Sequence, residues 1–341
     1  MNIHRHRTWT RRALLQGASA AGLMGVVARP AAAEPPPEVG TIRLALDPAF
    51  PVLCWAPKYL AKELLQLEGF TDVQWAPYAK APTDAEMLAN GSADFALDTA
   101  WSFIPPIDQG LAVTVLSGMH IGCTEVFASD RLDTIRDLKG KRVAILALGG
   151  AEHVFISAVA AHIGLDPSRD IEWVTEPDFS LWPQMLAAGE VDVVSAFPPQ
   201  TYEIREAGIG HAILNTTTDA PWRHYYCCML GGRAEFVRNY PVATKRVIRA
   251  LLKAQQLCSQ EPARVAQLLV ERGATDRIES ANELLREVSY DDWRTYDPAD
   301  TLRFFSLRLR EAGLVKSTPN AIIARGSDFR YLDRLRRELK S

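Results

Sequence analysis

Two stretches that lie 98 positions apart repeat one pattern and decide the fold. Thr71-Asp72-Val73-Gln74-Trp75 returns as Arg169-Asp170-Ile171-Glu172-Trp173, and Met87-Leu88-Ala89 with Gly91 and Asp94 returns as Met185-Leu186-Ala187 with Gly189 and Asp192. Gly110 returns at the same offset as Gly208, and Arg43-Leu44-Ala45-Leu46 returns one position later as Arg142-Val143-Ala144-Ile145. A shared offset across several elements indicates an internal duplication, although a composition bias can produce the Leu-Ala matches alone.

Each copy predicts the order strand, helix, strand, helix, strand. The predicted elements are 41–46, 54–67, 72–78, 82–90 and 93–98 in the first copy, and 141–146, 150–164, 170–176, 180–188 and 191–197 in the second. Strands rich in Val, Ile, Leu and Ala that alternate with helices indicate parallel sheets covered on both faces. Gly91 and Gly189 fit the position that ends a helix, where a positive φ is needed.

The two copies therefore predict an α/β fold of two doubly wound lobes. Residues 113–122, leading into 125–129, and residues 222–231 are extended and apolar, as expected for two crossover strands that leave lobe one and return to it. From residue 234 onward the apolar spacing is helical and predicts a C-terminal helical extension that packs on lobe one. We expect the leader at 1–33, lobe one at 38–122 and 219–341, and lobe two at 123–218.

Residues 1–33 have the three parts of an export signal. Arginines precede a mild apolar run, and Ala31-Ala32-Ala33 stands before Glu34. Arg11-Arg12 followed by two leucines resembles a twin-arginine signal, with an ordinary secretory signal as the alternative. We expect cleavage after about Ala33 and a product located in the periplasm.

Composition narrows the class of protein. The chain has 341 residues, of which 48% are hydrophobic and 23% charged, as in ordinary globular proteins. Without its first 33 residues, which carry five arginines and no acidic residue, it holds 33 basic and 41 acidic residues, a net charge of −8. No block of basic residues stands out, so nucleic acid is not an expected partner.

Function follows from the expected architecture. Open parallel sheets bind ligands beyond the carboxyl ends of their strands, where helix N-termini converge. Two lobes that are joined by two strands form a cleft, and hinge motion closes such a cleft on a ligand. An exported protein of this kind is most simply a solute receptor rather than an enzyme.

Three segments carry a family resemblance: Cys54–Leu65 with Glu68-Gly69-Phe70, Gly91–Phe95, and Asp137–Ala144, which reads Asp-Leu-Lys-Gly-Lys-Arg-Val-Ala. Over about residues 40–315 the chain resembles the nitrate/sulfonate/taurine and thiamine-precursor family of ABC-transporter substrate-binding proteins. The resemblance implies a type II periplasmic-binding fold that delivers a small solute to an ABC permease and ATPase complex in the inner membrane. We expect a monomer without a cofactor.

The candidate solute-binding residues lie at the expected cleft. They are Asp47, Cys54, Trp55, Asp98, Thr99 and Trp101 of lobe one, Gly149, Gly150, Ala151, Glu152, His153, Ser195 and Phe197 of lobe two, and His120 and Tyr226 of the crossover strands. Gly149-Gly150 at the start of a helix lets amides approach an anion, or is a plain turn. Glu152 fits an amine or ring N–H better than an anion. Trp55 and Trp101 either enclose a planar ligand or pack in the core.

The crossover strands also bring together a set of thiols and imidazoles. Three interpretations of this set are open. His120 and the thiols of Cys123, Cys227 and Cys228 could form a metal site, Cys123 could form a disulfide with Cys227 or Cys228, or the thiols could be buried and inert. A single metal site needs a bulge, because alternation places Cys227 and Cys228 on opposite faces. The spacing matches no tetrahedral framework, so we assign no metal ligand. The sequence has no catalytic signature such as Gly-x-Ser-x-Gly, a Walker loop or His-Glu-x-x-His, so we assign no catalytic residue.

Two other functions remain open from sequence. Related eukaryotic pyrimidine synthases carry a Cys-rich stretch at what resembles this crossover, which makes an iron- and His/Cys-dependent enzyme the alternative. Lys58 has no neighbouring histidine and fits poorly as the pyridoxal-phosphate lysine of such an enzyme. A sensory module that passes its solute to a receptor kinase is the third option. The favoured solute is small and organic, either planar or bearing a carboxylate or sulfonate.

Overall fold

The computed structural model describes residues 34–46, 52–78 and 83–339. The export signal expected in residues 1–33 lies outside these ranges, as does Asp47. Within the described part, the chain from Pro36 onward forms one compact unit that contains two sheets. No described helix has the length and apolar character needed to cross a membrane.

Lobe one is built on the first sheet. Its strands are β1 (Thr41–Ala45), β2 (Asp72–Ala76), β3 (Phe95–Thr99), β4 (Val113–Ile121) and β10 (Tyr226–Arg233), in the order β2-β1-β3-β10-β4. β1 pairs in parallel with β2 and β3, whereas β10 is antiparallel to both β3 and β4.

Lobe two repeats this arrangement. Its strands are β5 (Glu125–Ala128), β6 (Lys141–Ile145), β7 (Ile171–Thr175), β8 (Val193–Ala196) and β9 (His211–Asn215), in the order β7-β6-β8-β5-β9. Here β5 is the antiparallel strand, and it follows β4 directly along the chain. Each lobe therefore receives its antiparallel strand immediately after the chain has crossed from the other lobe.

The predicted fold of two α/β lobes with two crossovers and a helical C-terminal region is confirmed. The strands within each copy are parallel as expected, and only the crossover strands bring mixed pairing, because β5 and β10 enter the sheets in the opposite direction. The local pattern of those strands is as apolar as that of their neighbours, so the sequence does not reveal their direction.

Helices cover the sheets and form the tail. Lobe one contains α1 (Ala56–Leu67), α2 (Asp84–Ala89) and α3 (Ile104–Asp108), and lobe two contains α4 (Ala151–His162), α5 (Pro167–Asp170), α6 (Trp182–Ala188) and α7 (Gln200–Ala207). The tail consists of α8 (Ala234–Asn239), α9 (Pro241–Gln260), α10 (Pro262–Glu271), α11 (Ile278–Glu287), α12 (Pro298–Glu311), α13 (Pro319–Gly326) and α14 (Arg330–Glu338). Short 3₁₀ turns occupy Leu53–Trp55, Ile135–Leu138, Phe179–Leu181, Trp222–His224 and Asp292–Arg294.

The duplication extends to one ion pair in each lobe. Asp94 accepts hydrogen bonds from the backbone N–H and the guanidinium of Arg43, at 2.8 to 3.1 Å. Asp192 accepts the same three bonds from Arg142, at 2.9 to 3.1 Å. The preceding Gly91 and Gly189 have φ values of +79° and +71°, as the helix-ending position requires.

The tail contacts both lobes. Helix α9 packs against α1 of lobe one, while α12 packs against α4 of lobe two. Arg205 of α7 also forms ion pairs with Glu283 and Glu287 of α11. As a result, buried apolar side chains form one continuous core from lobe one through the tail into α4, with a smaller separate core inside lobe two.

Candidate functional site

The two lobes face each other where the parallel strands end. Leu53, in the turn after β1, donates its N–H to the carbonyl oxygen of Pro198 after β8, at 3.3 Å. Asp98 and Thr99 end β3 on the same edge, since Thr99 pairs with Cys228 at the start of β10. These contacts place the described sequence-predicted residues of lobe one at the interlobe boundary.

A buried charged cluster lies on the lobe-one side of this boundary. The Lys58 ammonium donates to the Ala45 carbonyl at 2.8 Å and lies 3.7 Å from the centre of the Trp55 ring. Burial lowers the pKa of Lys58 to about 8, against the opposing effect of Asp84 and Asp98. Burial likewise raises the pKa of Asp84 to about 6, and burial and the charge of Asp84 raise the pKa of Asp98.

Sequence reasoning missed Asp84 and undervalued Lys58. Asp84 stands in the first turn of α2, directly after the N-cap residue Thr83, where an acidic residue is ordinarily explained by the helix dipole. Lys58 lies in α1 and reads as a surface lysine of an amphipathic helix. Only the folded chain shows that both side chains point inward, with Lys58 fully buried.

The lobe-two side is the start of α4. The Gly149 N–H donates to Nδ1 of His153 at 3.1 Å, and the Gly150 N–H donates to the Ala147 carbonyl at 3.1 Å. Both amides proposed for an anion are thus already used. Burial raises the pKa of Glu152, and its Oε2 has no hydrogen-bond partner. This end of the helix therefore offers an acceptor, Glu152, more readily than amide donors.

The aromatic residues occupy different positions. Trp101 packs between Phe155 of α4 and Phe305 of α12, with ring centroids at 4.5 and 5.1 Å. Trp55 contacts Lys58, as described above. The indole Nε1 atoms of Trp55 and Trp101 are both buried without a partner, so each retains a donor. Trp101 thus serves as core packing in the closed contact between the lobes while keeping one polar group free.

The remaining candidates of lobe two and the return strand lie nearby. Ser195 is buried in β8, and Phe197 stacks on Phe179 at 5.2 Å. Ala151 begins α4. The Tyr226 hydroxyl donates to the Asp292 carbonyl at 3.0 Å, which uses its polar group within the tail.

The crossover strands bring His120 and the cysteines together. His120 pairs with Cys228 in the β4–β10 ladder, and the register shifts on both sides of Cys228 form the bulge that a single site requires. Cys123, with a φ of +91°, follows β4 and places its Sγ 3.3 Å from that of Cys227. All five cysteines are buried free thiols, so the possible disulfide is not formed in this structure.

One further residue joins this set from lobe one. The thiol of Cys54 lies in a group with His120, Cys123 and Cys228 in which all potential ligand atoms are within 4.8 Å of one another. Burial opposes ionisation of Cys54, but hydrogen bonds from Cys123 and Cys228 lower its pKa to about 6. Both His120 nitrogens are buried without a partner.

A pocket of about 550 Å³ lies away from this boundary. Arg238, Arg325, Arg330 and Arg334 contribute to its lining, together with Thr114 near the start of β4. Thr114 pairs with Gly232, which in turn pairs with Phe95 at the start of β3. The pocket therefore lies at the amino ends of the parallel strands, opposite the interlobe boundary.

Two lobes of matching topology, joined by two crossovers and facing each other with the carboxyl ends of their strands, define the type II periplasmic-binding class of protein. The chain belongs to the NMT1/THI5-like family, whose model matches residues 62–265. The resemblance seen in the sequence is confirmed.

Relatives of known binding activity share this fold. The nitrate/nitrite binding protein NrtA of Synechocystis is 27% identical over 258 residues, which are 66% of this chain and 54% of that protein. The chain spans about half the length of this curated relative.

Solved structures agree with the fold. The periplasmic nitrate-binding protein NrtA from Synechocystis superposes with a TM-score of 0.68 at 18% identity, covering 89% of this chain and 90% of that one. The alkanesulfonate-binding protein SsuA from Xanthomonas axonopodis pv. citri, bound to MOPS, gives 0.66 at 19% identity, covering 87% and 100%. These relatives are solute-binding proteins rather than enzymes.

Proposed function

We propose that this protein is the periplasmic solute-binding component of an ABC importer, exported by its N-terminal signal and acting as a monomer. Its lobes enclose a small solute and present it to a permease and ATPase complex in the inner membrane. The observation that carries this proposal is the meeting of the strand ends of both lobes, joined by the Leu53 to Pro198 hydrogen bond, at a boundary spanned by two crossovers.

The polar atoms at this boundary indicate the chemistry of the solute. Trp55 and Trp101 each keep an unpaired indole N–H, and Glu152 keeps an unpaired oxygen. Unpaired buried polar atoms cost free energy that a ligand can recover by hydrogen bonding. A planar organic solute fits these atoms if it carries an N–H donor for Glu152 and an acceptor for the indole N–H groups of Trp55 and Trp101. A carboxylate or a sulfonate is such an acceptor.

The alternative of a pyrimidine-synthase-like enzyme has weaker support. Such an enzyme needs a lysine to hold pyridoxal phosphate, and Lys58 fits that role poorly. Its ammonium donates to the Ala45 carbonyl, and the residue is fully buried. The relatives named above are binding proteins. The Cys and His cluster is the observation in favour of the enzyme, and chemical change of a bound ligand would reveal such an activity.

A thermal-shift screen over sulfonates, aromatic acids, pyrimidines and amines tests the proposal. A ligand present at 100 times its Kd stabilises the folded state by about 2.7 kcal/mol. Trp101→Ala should weaken binding of a true hit. Phe236→Ala is the matched control that should lower stability and leave affinity unchanged, because this buried ring packs against Phe95 at the amino end of β3, away from the boundary.

Two results would overturn the proposal. One is a chemically altered ligand recovered after incubation with the protein, which would indicate turnover. The other is a hit whose affinity falls equally in Trp101→Ala and Phe236→Ala, since binding would then follow stability and not contact with the cleft.

A further inference from the structure

Three thiols and one imidazole lie close together on the lobe-one side of the interlobe boundary. Cys54 comes from the 3₁₀ turn before α1, His120 from β4, Cys123 from the first crossover and Cys228 from β10. Their potential ligand atoms all lie within 4.8 Å of one another, and all four residues are buried. Four separate segments of the chain thus contribute one ligand atom each.

Independent contacts hold each of these segments in place. Tyr290 of the tail donates its hydroxyl to the Cys54 carbonyl at 2.9 Å. The Cys123 N–H donates to the Thr217 hydroxyl at 3.2 Å, which fastens the first crossover to the second. The β-bulge turns Cys228 toward His120 in the ladder. The convergence is therefore built by the fold and does not depend on a bound ion.

The imidazole supplies a second observation that points to a ligand. Neither nitrogen of His120 has a hydrogen-bond partner, although the residue has no solvent exposure. Buried polar side chains in folded proteins nearly always have a partner, and leaving one without any is costly. A cation bound to one nitrogen gives the imidazole a partner there and removes part of that cost.

We propose that Cys54, His120, Cys123 and Cys228 bind one thiophilic d¹⁰ cation, with Zn²⁺ as the representative ion. Soft thiolates select such ions, and three cysteines with one histidine is a recurrent tetrahedral zinc set. With bonds of about 2.3 Å to sulfur, tetrahedral ligands are about 3.7 Å apart. Small side-chain rotations bring a set already within 4.8 Å to that spacing.

Cys227 lies next to the four proposed ligands but is not one of them. Its Sγ contacts Cys123 Sγ and the Thr124 hydroxyl, both at 3.3 Å, and it is absent from the group of four. A disulfide between Cys123 and Cys227 would remove one ligand. Metal binding and oxidation therefore compete for Cys123.

An ion bound here takes up Cys54 and His120, two of the candidate solute-binding residues, at a site whose ligands all belong to lobe one and the first crossover. An ion that joins Cys123 to Cys54 and Cys228 connects the crossover to lobe one. Metal binding should therefore slow amide hydrogen exchange in the crossover at residues 122–124, whatever solute the cleft takes.

Cobalt titration of the full chain, purified with a reductant and freed of metal, tests the site. Co²⁺ is the probe because its absorption reports tetrahedral thiolate coordination, and Zn²⁺ should displace it. We expect one equivalent of Co²⁺ in wild-type protein, with thiolate charge-transfer bands. Cys228→Ser and Cys54→Ser should lower the affinity at least tenfold, while Cys227→Ser and Cys258→Ser should retain it.

Circular dichroism of every variant separates loss of the site from loss of the fold, and Cys54→Ser, in a turn, tests the site if the strand variant does not fold. The proposal is wrong if reduced wild-type protein takes up no Co²⁺, or if Cys227→Ser and Cys228→Ser lose it equally. Stoichiometric iron in natively purified protein that Zn²⁺ cannot displace would contradict the ion class.

Discussion

The indole ring of Trp101 in lobe one packs against the ring of Phe155 in lobe two, with centroids 4.5 Å apart and planes inclined by 31°. Both side chains are at most 2% exposed. This pair is part of the continuous core that joins the lobes. Under the proposed hinge motion, opening separates the two rings and exposes them to water, so the free energy of this contact favours the arrangement seen in the structure.

Removing the lobe-two ring should loosen the closed form. Phe155→Ala is expected to cost about 3 to 5 kcal/mol of stability, as for other buried phenylalanines. Because the lost contact lies between lobes, small-angle X-ray scattering should also show a larger radius of gyration. Phe127→Ala, within the core of lobe two, is the control that should cost similar stability without expansion. Equal radii for the two variants would argue against an interlobe role.

The duplicated ion pairs should differ in strength. The Asp94 side chain is 4% exposed and that of Asp192 is 19% exposed, although their bonds to Arg43 and Arg142 match. Asp94 also pairs with Arg233 at 3.3 Å, which adds to the difference. Removing one partner of a buried pair costs more than removing one of an exposed pair. We expect Asp94→Asn to cost about 3 kcal/mol and Asp192→Asn about 1 kcal/mol in urea unfolding. The reverse order would show that burial does not decide the difference.

Acid should weaken the contact between lobe one and the tail. Burial alone would raise the pKa of Glu68, but Arg249 and Lys253 lower it below its ordinary value. A lowered folded-state pKa gives stability that is present above the unfolded value and is lost as the pH falls through the folded value. Between about pH 5 and pH 3, wild-type protein should thus lose more stability than Glu68→Gln.

The measurement for this prediction is the free energy of unfolding as a function of pH. At neutral pH, Glu68→Gln should be about 3 kcal/mol less stable than wild type, because Arg249 and Lys253 then lose the buried negative charge of Glu68. Parallel pH profiles for the two proteins would show that Glu68 does not account for the acid sensitivity.

Much of the fold could be predicted because local chemistry determines it. The strands and helices of both copies follow from apolar spacing, and Gly91 and Gly189 adopt the predicted positive φ. The direction of β5 and β10 could not be predicted, because it depends on which strands each of them pairs with after the chain has crossed between the lobes. The contact of α12 with α4 could not be predicted either, because it depends on how the two lobes are arranged and not on the local sequence.

The location of the candidate site could be predicted from the sequence, but most of the contacts between its residues could not. Strand ends locate Asp98 and Thr99, whereas Cys54 meets Cys228 only through tertiary pairing over 174 positions. The bulge beside Cys228 leaves no local signal in Tyr226-Cys227-Cys228, so strict alternation argued against a shared site. Solute binding by the candidate cleft residues stays a prediction.

We expect the two lobes to close on a solute. Single-molecule fluorescence transfer between dyes on exposed Lys62 of lobe one and exposed Glu190 of lobe two measures this directly, with noncanonical amino acids as attachment sites. With the strongest ligand of the thermal-shift screen, we expect a more distant population to disappear in favour of one closed distance. A distance distribution that saturating ligand leaves unchanged would contradict the account.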